Sequence, residues 1–90
     1  MIATQVKDPD ETLDTGIDWA ARLGAGETIT ASTWTPATGI TVDQSSFTDQ
    51  ITSARLSGGT AGTRYAVTNA VTTSLGRVYN ETLDIEVRSL

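Results

Sequence analysis

The sequence predicts an all-β protein, a sandwich of about seven antiparallel strands behind a short extended N-terminal arm. Two patterns carry this. Short runs of alternating apolar and polar residues recur through the chain, with Gly, Pro, Asp and Asn turn signals about every 8–12 residues. Threonine is the most frequent residue and is spread through those runs. Its β-branched side chain suits the wet face of a pleated strand. The 90 residues are enough for one domain with one core. No internal repeat or low-complexity block interrupts them.

Taken in order, residues 1–15 carry few apolar side chains and cluster their acids in KDPDETLD. They read as a solvated arm, with residues 16–90 as the sandwich. Asp8, Pro9 and Glu11 stand as N-cap, N1 and N3 of a capping box, and Gly16 limits any helix to a short turn. In GIDWAARL (16–23), Ile17, Trp19, Ala21 and Leu23 share one face, which predicts a half-buried strand. GAGE is a turn. TITASTWT comes next with Ile29 and Trp34 at opposite parity, which predicts a bulge near residues 31–33 so that both face inward. Leaving either outside would forfeit about 2–3 kcal/mol. Pro36 ends that strand because it has no N–H for a ladder.

TGITVDQSSF gives a short strand near an edge with Ile40 and Val42 inward, and DQITSARLS the next with Ala54 and Leu56 inward. A glycine loop leads into a long strand over residues 63–73. SLGR turns the chain, and VYNETLDIEV closes it with Leu83, Ile85 and Val87 on one face.

The loop GGTAGT lacks the Lys-Ser/Thr ending of a phosphate-binding loop, and no helix pattern comes after it. The loop runs instead into Gly62-Thr63-Arg64-Tyr65, which puts a tyrosine early in the long penultimate strand. In immunoglobulin-like sandwiches a tyrosine at this place turns its hydroxyl onto backbone a few residues upstream, the tyrosine corner. The fold expectation is therefore an immunoglobulin-like β-sandwich, with Gly62 giving a tight crossing and Tyr65, Trp19 and Trp34 as structural residues. Asn69 shares parity with Val67 and Val71, so it either satisfies polar groups inside the sandwich or marks where the strand leaves the core.

Composition removes several chemistries. There is no cysteine, hence no disulfide and no thiolate metal site, and no histidine, the commonest general base and imidazole ligand. A formal charge of −5 with scattered arginines argues against a nucleic-acid phosphate track. No apolar run approaches the roughly 20 residues of a membrane span, and the N-terminus lacks a signal-peptide core, so synthesis in the cytoplasm is expected. The acids Asp8, Asp10, Glu11, Asp14 and Asp18 do not match an EF-hand spacing and read as caps and solvated charge. A sandwich this small offers little cleft for a glycosidase carboxylate pair. Serine and threonine hydroxyls have no histidine to activate them. The sequon Asn80-Glu81-Thr82 reads as chance, and Trp19 and Trp34 as core residues rather than a sugar platform. The expectation is no enzyme activity, cofactor or metal.

Three stretches together are similar to a family of small virion-structure proteins of tailed bacteriophages and prophages: KDPDETLDTGIDWAARL, ETITASTWT and LSGGTAGTRYAVTNAVTTSLGR. Some of that family are identified as fibre–tail adaptor proteins. The resemblance runs from Lys7 to about Val87 and departs at Thr15, where an aromatic is expected after the LD. It implies an immunoglobulin-like domain present in several copies on a virion, in contact with tail, neck or fibre subunits, without nucleic acid or membrane. On this reading Asp8, Pro9, Asp10, Leu13 and Asp14 are the candidate partner contacts. Two alternatives stay open: a host-surface carbohydrate-binding module, with Trp34 or Tyr79 as its exposed aromatic, and a capsid decoration protein.

Overall fold

The computed structural model describes residues 3–89. Seven strands succeed one another: β1 (Ala3–Lys7), β2 (Leu13–Asp18), β3 (Ile29–Pro36), β4 (Ile40–Phe47), β5 (Ile51–Gly58), β6 (Thr63–Thr73) and β7 (Val78–Val87). They form a four-stranded sheet ordered β1-β7-β6-β3 and a three-stranded sheet ordered β2-β5-β4. Alternation along each strand sends one set of side chains between the sheets: Ile17 and Trp19, Ile29, Ile40, Ala54 and Leu56, Tyr65, Val67 and Val71, and Leu83, Ile85 and Val87. The long β6–β7 hairpin is the spine, pairing without a break from Thr63↔Val87 to Thr72↔Val78.

Several expectations need correction. Residues 3–7 are not a solvated arm. They pair with β7 from Ala3↔Leu83 to Lys7↔Val87, and the pairing is parallel, so the strands are not all antiparallel. A parallel pair cannot be closed by a tight hairpin, and here the whole intervening domain serves as the crossover. The β1 backbone thereby covers an edge of β7 that would otherwise present unpaired N–H and C=O groups. The boundary expected between residues 15 and 16 falls inside β2. Gly16 stops nothing: it lies within β2, where a Cβ would stand 2.7 Å from the Thr52 carbonyl oxygen. The strand expected over 16–23 instead spans Leu13–Asp18. Beyond it the amides of Arg22 and Leu23 donate to the Trp19 carbonyl, a turn that leaves Ala21 exposed and Leu23 half-buried.

The β3 bulge is present but lies between Ile29 and Ala31, earlier than expected. It brings Trp34 opposite Asn69 on the inner face, half-buried at the sheet edge. A second bulge separates Val42 from Gln44 in β4. β4 is an edge strand of its sheet, as expected, and spans Ile40–Phe47.

Candidate contact surfaces

The glycine loop and Tyr65 make one unit. Tyr65 is buried, and its hydroxyl accepts the Thr60 N–H at 2.9 Å. Its ring lies between two glycines at positive φ. A Cβ on Gly39 would stand 2.8 Å from Cε1, and one on Gly59 would stand 3.4 Å from Cε2 and 2.7 Å from Val87 Cγ2. Gly62 is needed for its backbone alone: its φ is 88° and its N–H donates to the Val87 carbonyl at 2.7 Å. The loop is shaped by packing against a phenol ring.

The predicted partner-contact residues do not form one exposed patch. Asp8, Pro9 and Asp10 make a turn between β1 and β2. Within it Glu11 N–H donates to the Asp8 carbonyl, Asp8 N–H to Glu11 Oε1, and Asp10 N–H to Asp8 Oδ1. Leu13 is half-buried and packs on the core. Asp14 stands on the outer face of β2, paired with Arg55 at 2.9 Å, and this bond and the Asp14 charge raise the guanidinium pKa. Thr15, at the departure from the family pattern, is buried inward, and its Oγ1 has no hydrogen-bond partner among the described residues.

Three buried polar groups were not found from the sequence as fold-building residues. Lys7 is fully buried, and its ammonium donates to the carbonyls of Gly58 (2.7 Å), Asp8 (2.9 Å) and Pro9 (3.5 Å), tying β1 to the glycine loop. Glu27 is buried and accepts from Gly24 N–H (2.7 Å) and the Thr73 hydroxyl, with Arg77 at 3.8 Å. The Gly24 bond, the Thr73 bond and the Arg77 charge hold its carboxyl below the ordinary glutamate range, against the effect of burial. Thr52 completes the third group: the Trp19 indole N–H donates to Thr52 Oγ1 (3.0 Å) and Asn69 Oδ1 (3.3 Å), and Thr52 Oγ1 donates to Asn69 Oδ1 (2.7 Å). Asn69 Nδ2 then donates to Ser32 Oγ and the Thr33 carbonyl, so Asn69 stays inside the sandwich and joins both sheets. Parity had marked Asn69; the other members carry no signal that separates them from surface residues.

Trp19 and Tyr79 present little open face. Trp19 is fully buried and stacks with Tyr79, with ring centroids 6.5 Å apart. The Arg22 guanidinium covers both rings, at 5.4 Å and 4.9 Å. Among the described residues no group of His, Cys, Asp or Glu side chains is placed to hold a metal ion.

What remains is a small β-sandwich whose conspicuous side chains are spent on holding its own loops and sheets together: a scaffold protein. The family described as podophage GP4 fiber-tail adaptor protein gp77 matches residues 7–86, and the chain belongs to that family. A comparison with curated proteins finds no match. Membership gives the chain the family's structural adaptor role in a phage tail.

Proposed function

We propose that the chain is a non-enzymatic virion protein that links the tail or neck of a tailed phage to its fibres through protein–protein contacts, in several copies around a symmetric ring. The observation that carries this is the family match, which covers nearly the whole sandwich. The molecule suits the task. It is elongated, 42 × 23 × 19 Å, and offers two ends about as far apart as its long axis. The sheets divide β2, β5 and β4 from β3, β6 and β7, the partition of an immunoglobulin-like domain, which supports that finer description of the fold. Weak contacts repeated around a ring would add up to a stable joint. At the β1–β2 turn, Asp8, Pro9 and Asp10 form the candidate partner contact, with Asp14 beside them on the sheet. Leu13 contributes by anchoring the turn to the core.

Removing the arm would remove β1 and the start of β2, so the informative test deletes the whole gene. Phage particles assembled without the chain should carry tails and lack fibres, and supplying the chain in trans should restore them. Fibred particles in its absence would overturn the proposal. In the same complementation, Asp10→Lys should leave the fold intact and lower fibre attachment.

A further inference from the structure

Among the described residues, the large apolar side chains that remain exposed all stand at one end of the sandwich. Phe47 (44% exposed) and Ile51 (45%) flank the turn between β4 and β5, while Leu75 (61%) lies in the turn between β6 and β7 and Val78 (63%) follows it at the start of β7. The loop before β3 joins these turns: Ile29 N–H donates to the Asp49 carbonyl, and Ser74 N–H to the Thr28 carbonyl. A concavity of about 670 Å³ lies between the loops, lined by Gly24, Gly26, Glu27, Asp49 and Ile51. The acidic β1–β2 turn lies at the other end, beside the glycine loop to which Lys7 ties it. Isolated exposed hydrophobics need no explanation, but four gathered at one pole of a small domain mark a contact surface.

Charge identifies the occupant. Asp18 is paired directly across from Ile51, and Asp49 lies two residues before it. Neither forms an ion pair among the described residues, whereas Arg77 is engaged by Glu27 and Arg22 lies over the Trp19 and Tyr79 rings. A second copy meeting this pole would bring its own Asp18 and Asp49 against the same carboxylates, between chains that each carry −5. We propose that this pole docks a tail or fibre subunit presenting an apolar side chain flanked by lysine or arginine, which enters beside Ile51 while its cations face Asp18 and Asp49. This rests on the adaptor reading and adds to it a second contact surface, opposite the acidic turn.

The test adds purified, fluorescently labelled chain to particles assembled without it and measures the bound fraction. Ile51→Asp, Phe47→Ser and Leu75→Asp each alter an exposed side chain, and unchanged melting temperatures verify their folds. Wild type should bind, each variant should bind about tenfold less or worse, and Asp49→Lys should bind less with a weaker salt dependence. If wild type binds and the variants bind equally well, this inference is overturned and the adaptor reading stands. If wild type itself does not bind, the adaptor reading falls and takes the inference with it. Wild type sedimenting as a dimer that Ile51→Asp converts to monomer would also overturn it, by making a second copy the occupant.

Discussion

Asn69 can be polar at the centre of an apolar core because each of its side-chain atoms finds a partner there. Its oxygen accepts from Trp19 and Thr52, and its nitrogen donates to Ser32 and the Thr33 carbonyl. Asn69→Leu keeps the volume but strands the Thr33 carbonyl and the Thr52 hydroxyl, so a loss of about 2–3 kcal/mol is expected from urea midpoints. An unchanged midpoint would show that the network contributes nothing net. Glu27 gives a pH dependence. Its folded pKa lies below the ordinary value near 4.5, so as pH falls the unfolded chain takes up the proton first. The carboxylate's contribution is complete above that ordinary value and disappears as pH drops through the lower folded one. Wild-type melting temperature should therefore fall more steeply than that of Glu27→Gln as pH drops below the ordinary glutamate value near 4.5. Parallel profiles would refute the assignment.

β1 shows best what an element owes to its neighbours. ATQVK has little apolar character of its own, and nothing in it announces a strand. It becomes one because β7 has a free edge and because Lys7 finds the Gly58 carbonyl at the glycine loop and those of Asp8 and Pro9 in the turn that follows β1. Deleting residues 1–7 should cost on the order of 2–3 kcal/mol, at roughly one net kcal/mol for each ladder bond lost. It should also make the domain associate as concentration rises, since the β7 edge is then open. Urea titration and sedimentation at several concentrations measure both, and an equally stable monomer would contradict this account. β6 and β7 needed no such help: both were legible at nearly their observed bounds from period-two alternation between clear turn signals. β2 was legible in face but not in extent. Ile17 and Trp19 face inward as their parity requires, yet the alternation that continues through Ala21 and Leu23 is broken by a turn whose hydrogen bonds leave no signature in sequence.

Across the whole molecule three strand pairings, β1–β7, β2–β5 and β3–β6, join distant segments, the extreme case being residues 3–7 against 83–87. Such closure must be reached before it is rewarded, so refolding monitored by tryptophan fluorescence should fall in the range of about milliseconds to seconds. Microsecond folding would mean that the hairpins carry the stability alone. At this scale the candidate surfaces were only partly legible. The acidic turn could be read because capping residues act locally. The apolar pole could not, because Phe47, Ile51, Leu75 and Val78 lie on two separate hairpins and look like core residues in sequence. By itself the sequence determined the two-sheet class, the inward residues of the closing strands and the glycine-bounded corner at Tyr65, all consequences of side-chain alternation and backbone freedom within a few residues. Only the tertiary structure decided that the first residues add a parallel strand, that Lys7, Glu27 and Asn69 are buried with their partners, and that four apolar side chains share one end. Each of these depends on groups brought together from distant parts of the chain, and local pattern carries no record of them.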